Sequence, residues 1–373
     1  MARLLLALAL LLGAVLVAVL APGCSGPPAV CDQVVSSVSG AQAAVTSATA
    51  GTSVCLADGR YPLLSLSARK AAPGVLVQAQ HPGKATIAGA KLAGSGLTVA
   101  RFRIQGGGVE ISPNAASMTV SHNLLAGGNY YGVFVCPAEP PDACTDISII
   151  GNIFYGSFEE DQIRANVYHD SADRDPYGLL VEANQFVGNV EHGTHNDVFQ
   201  SVWVGDHLYF RRNYLHDFGG QGLLIKDQAA AIDTIVVENN LIVRQNRPCE
   251  PSSLCAGYQL SPLQIFGPTR NVSIRRNTIW GAEGGVFALR GTGWQGPTAM
   301  TDNVIYSTYS DDTQFAQASY LATGNVRCTN QGFPSTGFTT DCTPPFVNPA
   351  GGDWRTRDGH GVDWRPADQW YGP

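Results

Sequence analysis

The sequence predicts an all-β chain, a right-handed parallel β-helix of about eight to ten coils. Three observations predict it. An asparagine-centred motif recurs every 26 to 37 residues. The residues around each copy alternate with the two-residue beat of strands. The composition is rich in turns and poor in charge, with 42 glycines and 14% charged residues among 373. Such a profile suits a large folded body and not a disordered chain. The formal charge of −7 argues against a nucleic-acid partner, because few phosphate counterions could be released. Of 23 basic residues only Lys70, Lys84, Lys91 and Lys226 are lysines.

Residues 1–23 read as an export signal. Arg3 supplies the positive start, Leu4 to Leu20 is an apolar run, and Pro22, Gly23 and Cys24 end it. The segment resembles a bacterial lipoprotein signal, which implies lipidation of Cys24 as the new N-terminus. Cleavage near Ala21 to Gly23 and an uncleaved anchor remain the alternatives. Residues 24–50 follow as linker and N-terminal cap. Setting Cys24 aside leaves eight cysteines in near pairs, Cys31/Cys55, Cys136/Cys144, Cys249/Cys255 and Cys328/Cys342. Four bridges fit an oxidising, extracytoplasmic compartment. The chain is expected to be membrane-tethered or secreted, and a monomer.

The body spans residues 51–326. Its motif is apolar-x-apolar-x-x-Asn-x-apolar, as in Met118-x-Val120-x-x-Asn123-x-Leu125. Copies centre on Asn152, Asn184, Asn213, Asn240 and Asn277, with a weaker one on Asn303. A strand of this kind cannot bury its apolar face alone, whereas coils stacked about 4.8 Å apart bury it in one continuous core. An asparagine amide both donates and accepts, so stacked asparagines can satisfy one another and the turn backbone. The uneven spacing is taken up by loops, and residues 327–373 form a C-terminal cap segment.

Counting 13 residues back from the asparagines lands on Glu110, Gln200, Gln264 and Arg290, each after an apolar neighbour in the last three cases. In the coil of Asn240 the same count lands on Asp227 and would turn Lys226 inward, where an unpaired lysine is prohibitive. One extra residue in the Ala229-Ala230-Ala231 turn puts Ile225 inside. An outward file then reads Gln200, Lys226, Gln264, Arg290.

The repeat resembles the right-handed parallel β-helix proteins of the pectate-lyase-like superfamily. Thr52 to Tyr61 is similar to their opening coil, and Phe346-Val347-Asn348-Pro349 through Asp368 to their closing segment. Lys226 in Leu224-Ile225-Lys226-Asp227 and Arg290 in Ala288-Leu289-Arg290-Gly291 look similar to the base and acid of alginate and chondroitin lyases. In those enzymes the pair sits on neighbouring coils, whereas Gln264 intervenes here. Their Asn/Glu/Glu calcium cluster is not recognisable. The resemblance implies an exported, carbohydrate-active protein acting on a polysaccharide, with a uronate-type lyase favoured. The alternatives are a non-catalytic polysaccharide-binding or structural surface protein and a glycoside hydrolase.

Other polar groups gather around that file. His195 and Asp197, in the segment Glu191 to Gln200, read as an acid–base pair or as a turn whose side chains bond backbone amides. Gln200 and Gln264 are expected to bind substrate, with Trp203 and Tyr131 stacking on sugar faces beside Tyr130 and Trp294. Asp170, Asp173 and Asp175 form a candidate Ca2+ loop by carboxylate density, although Arg174 can neutralise it. A hydrolase needs two carboxylates close together. Asp197 and Asp227 lie roughly 13 Å apart by strand rise, too far for that chemistry.

Overall fold

A computed structural model of the chain describes residues 29–128, 130–171, 177–188, 197–218, 221–226, 232–243, 262–282, 287–290, 295–296, 298–307, 320–328, 336–343, 346–349 and 353–365. The chain winds as a parallel β-helix with three faces per coil, right-handed as parallel crossovers are. The first face takes the strand before each asparagine, such as Ala116–Ser121, which pairs in parallel with Cys144–Ile150 of the next coil. The second face follows the asparagine and, among the described residues, carries twelve strands, including Leu124–Gly128 and Ile153–Phe158. The third face includes Val109–Ile111, Val133–Val135, Ile163–His169, Gln221–Ile225, Leu263–Phe266 and Phe287–Arg290. Two long strands, Ala90–Ala100 and Asp197–Arg211, bend from the third face into the first.

The apolar positions of the motif all face inward. Met118, Val120, Ile147, Ile149, Leu179, Val181, Leu208 and Phe210 are fully buried, as are Leu125, Phe154, Phe186 and Leu215 on the second face. Phe154 and Phe186 stack with centroids 4.7 Å apart. Between these faces runs the amide ladder. The backbone N–H of Asn184 donates to Asn213 Oδ1 at 3.0 Å and its Nδ2 donates to the same oxygen at 3.1 Å. Asn213 repeats both bonds to Asn240 and donates to Val181 O. The ladder runs through Asn123, Asn152, Asn184, Asn213, Asn240, Asn277 and Asn303 to Asn325. Asn325 escaped the sequence motif because an arginine, Arg327, replaces its apolar partner.

A left-handed residue precedes each of these amides and makes the turn: His122, Gly151, Ala183, Arg212, Asn239, Arg276, Asp302 and Gly324. A second left-handed set, Ser117, Asp146, His207, Thr234 and Asn271, sits near the start of the first-face stretches. For a non-glycine residue that conformation costs roughly 1–2 kcal/mol. The ladder bonds hold it in place.

The N-terminal end of the core is closed by helix α1, Val38–Ser47, whose Ala41, Ala44 and Val45 are buried. Ser37 Oγ caps its start by accepting from Gly40 N–H. Lys70 Nζ donates to the carbonyls of Thr46 and Ala48 at its end. Among the described residues no helix is long and apolar enough to cross a membrane. The C-terminal segment lies along the second face, where Trp364 Nε1 donates to Asn239 O and Val362 N–H to Thr278 Oγ1.

Cys31–Cys55 and Cys328–Cys342 are disulfides. The expected Cys136–Cys144 bridge is not formed. Both are buried thiols. Cys144 opens a first-face strand with its sulfur on Ser112 O at 3.3 Å, and a hydrogen bond that its thiol donates to Cys136, together with burial, pushes its pKa up. Cys24, Cys249 and Cys255 lie outside the described residues.

Replacing Asn213 by alanine removes the acceptor of two Asn184 donors in a dry interior. At about 1–3 kcal/mol per orphaned group, the variant is expected to lose on the order of 3 kcal/mol or more, measured by chemical denaturation.

Candidate functional site

The outward file of the third face is set by strand register. Lys91, Glu110, Phe134, Arg164, Gln200, Leu224, Gln264 and Ala288 lie opposite one another on successive coils. Gln200 and Gln264 therefore share a file, but Leu224 stands between them and Lys226 does not. Ile225 points inward as expected and is fully buried. Between Leu224 and Asp233 the chain spends three residues more than between Gln200 and Asp206, where the sequence count allowed one. Lys226 belongs to the outward file two positions further along the strands, the file in which Phe266 pairs with Arg290. Lys226 and the Arg290 backbone thus share a face, two coils apart.

At the entry to the third face sits a pair of buried carboxylates. Asp161 Oδ1 accepts the Asp197 N–H at 2.9 Å, and Gln162 N–H returns to Asp197 O. Asp161 is 1% and Asp197 0% exposed. Asp197 Oδ2 accepts from Gln200 Nε2 at 2.8 Å, which places Gln200 against the carboxylate pair. Arg164 Nη1 reaches Asp161 Oδ2 at 3.3 Å, while its Nε donates to Asn166 Oδ1 at 3.2 Å. Asn166 is itself fixed by donating to Ala138 O.

Burial pushes the Asp161 carboxyl up to about 7, against the opposing pull of the Asp197 N–H and the Arg164 and Lys226 charges. Burial raises Asp197 well above the ordinary carboxylate range, and the Asp161 charge adds to the rise. Two carboxylates opposite one another on adjacent coils cannot both ionise cheaply, so burial and mutual repulsion favour the protonated form. Lys226, half-buried, draws both values down and lies electrostatically within the cluster. Burial also holds the Tyr131 phenol up at about 12, protonated and within the fields of Arg164, Glu160 and Asp161. Its ring packs on Phe134 with centroids 4.4 Å apart.

The site residues expected from sequence divide into four groups. Lys226, Asp197, Gln200 and Tyr131 meet in this cluster. Gln264 is buried two coils from Gln200, and Trp203 packs against the core. Asp170 lies elsewhere, beside Asp206 and His207. His195, Asp173, Asp175, Asp227 and Trp294 lie outside the described residues.

Asp161, Arg164 and Asn166 were missed. Counting back 13 from Asn184 lands on Ser171, because this coil carries a long bend after His169. The usable signal was Ile163-Arg164-Ala165, which alternates as Leu263-Gln264-Ile265 does.

No protein-family model matches the sequence, and no curated protein matches it. Solved structures that it resembles include a mannuronic-acid-specific family 6 polysaccharide lyase from the human gut microbiota. That likeness has 13% identity over 90% of this chain and 97% of the other, with a TM-score of 0.41. A family 6 alginate lyase matches at 14% identity over 91% of this chain and 56% of its own, TM-score 0.47. A pectate lyase matches at 14% identity over 87% and 82%, TM-score 0.34. Likeness at this level says nothing of activity. The fold rests on the ladders described above.

The raised carboxyl pair makes a signed prediction. Between about pH 4 and pH 7 the native state keeps a proton that the unfolded chain has released, so its stability falls as pH rises. Asp161→Asn removes that loss. The difference in Tm between the variant and the parent should move in favour of the variant from pH 4 to pH 8, as read by thermal melts.

Proposed function

We propose that this is an exported, carbohydrate-active β-helix protein that cleaves a uronate-containing polysaccharide by β-elimination. The observation that carries the reading is the charge balance on the third face. Arg164 and Lys226 are cations beside the buried Asp161–Asp197 pair, whose carboxyls burial holds toward the protonated form. Two cations beside carboxyls held toward neutrality suit a uronate carboxylate. Stacked coils about 4.8 Å apart lie close to the rise of a sugar ring, so an extended chain can run along the file.

In this reading Arg164 pairs with the substrate carboxylate through its planar fork. Withdrawing charge from that carboxylate makes the neighbouring C–H acidic. Lys226, after releasing its ammonium proton to solvent, takes the proton, the carbon–oxygen bond to the leaving sugar breaks, and its electrons go to the leaving oxygen. Lys226, now an ammonium, returns the proton to that oxygen. Arg290, in the same file, is the second candidate donor. Asn166 and Asp161 hold Arg164 in place.

Two disulfides support an extracytoplasmic compartment. Tethering through a lipidated Cys24 belongs to the same proposal. A different observation favours a non-catalytic polysaccharide-binding or structural role. Gln200, Leu224 and Gln264 are only 4–5% exposed, so the middle of the file is covered.

A panel of uronate polymers separates the readings. The lyase predicts a rise in ultraviolet absorbance from unsaturated uronate, reduced about 10²-fold or more in Lys226→Ala. Arg164→Lys should remain impaired, since an ammonium cannot replace a bidentate fork. Arg290→Ala tests the second donor. Retention on a polysaccharide gel with no absorbance change would instead establish binding alone, and reducing-end release without unsaturation would establish a hydrolase.

A further inference from the structure

Where the third face bends into the first, a mixed cluster of imidazoles and carboxylates forms outside the carboxylate-pair site. Asp206 and His207 stand in the bend of the long strand Asp197–Arg211. His207 is one of the left-handed residues (φ 52°) near the start of first-face stretches. Asp170 comes from the preceding coil. Its N–H donates to Asp206 Oδ1 at 2.9 Å. Ser171 N–H donates to Asp146 Oδ1 at 2.8 Å and anchors the same segment.

Gly178 makes this approach feasible. A Cβ there would lie 2.3 Å from Asp206 O, 2.8 Å from His169 C and 3.0 Å from Asp170 N. Any side chain at 178 would push the Asp170 segment away.

Three donor atoms converge. His207 Nδ1 lies 3.4 Å from Asp170 Oδ1 and 3.7 Å from Asp206 Oδ1. That nitrogen is out of solvent yet makes no hydrogen bond. Metal bonds of about 2.0–2.2 Å give tetrahedral donor–donor edges of roughly 3.3–3.6 Å, close to both distances. His169 Nδ1 lies 3.0 Å from Asp206 Oδ2 and steadies that carboxylate from behind, as an outer partner of a metal ligand does.

We infer that Asp170, Asp206 and His207 bind one divalent transition ion of the zinc class, with the fourth position left to solvent and His169 acting as a positioning residue. The imidazole decides the class. Calcium takes oxygen ligands, whereas a nitrogen with two carboxylates suits zinc. Of the expected Ca2+ loop, Asp170 belongs to this cluster, while Asp173 and Asp175 lie outside the described residues. Binding would tie coil to coil at a bend where the connecting segments are long. The inference does not depend on the lyase reading.

The test uses the full chain after chelator treatment, titrated with Zn2+ alone and with Ca2+ alone by calorimetry. One Zn2+ per chain is expected, with a rise in Tm and an X-ray absorption edge showing nitrogen and oxygen neighbours. His207→Ala and Asp206→Asn should abolish both the stoichiometric heat and the Tm rise. His169→Ala should weaken binding about 10–100-fold. If a variant fails to fold, the absorption spectrum of the parent decides. A sulfur shell, absence of stoichiometric Zn2+, or tighter binding of Ca2+ than of Zn2+ would overturn the inference.

Discussion

Each coil of this protein is held over the next by one buried amide. An asparagine side chain accepts from the backbone and side chain of the asparagine in the preceding coil and donates to a carbonyl across the turn. No water reaches the ladder, so each amide must be satisfied by its neighbour. Slipping one coil by a residue would orphan donors on both sides. The ladder therefore fixes vertical register, and it does so at a corner where left-handed residues such as Ala183 and Arg212 would otherwise relax.

Vertical register turns sequence neighbours into strangers and distant residues into pairs. On exposed files the chain places opposite charges above one another. Lys91 meets Glu110 at 2.7 Å, Glu182 meets Arg211 at 3.1 Å, and Glu238 meets Arg275 at 2.9 Å. That arrangement avoids the repulsion of like charges directly opposite. Asp161 and Asp197 break the pattern, and they do so in the dry interior. A costly arrangement kept beside two cations is a physical reason to look there for chemistry. Asp170 with Asp206 is the second break, and its resolution through an imidazole points to a cation and not to a protonated carboxyl.

The two candidate sites also differ in what supports them. The carboxylate pair rests on regular third-face strands, whose pitch suits an extended ligand. The imidazole cluster rests on a bend, where loops of unequal length enter and leave the coil. Insertions are tolerated at such bends because the ladder carries register independently of loop length. The same tolerance lets Cys136 follow a third-face strand and Cys144 open a first-face one without needing a bridge to hold the coil together.

The parallel β-helix was legible in the amino-acid sequence alone. Its strands are short and local, and the asparagine that joins them must recur once per coil, so the periodicity of buried residues is written directly in the chain. The inward placement of Ile225 followed from the cost of burying a lysine. The files across coils were not legible, because they depend on how many residues each bend consumes, and a bend's length carries no periodic signal. Hence Leu224 took the place assigned to Lys226, and Arg164 was not singled out. Tertiary structure decided which charges face one another: Asp161 on Asp197, and Asp170 on Asp206 and His207. Proximity between coils is set by stacking at about 4.8 Å, a distance that no sequence separation encodes.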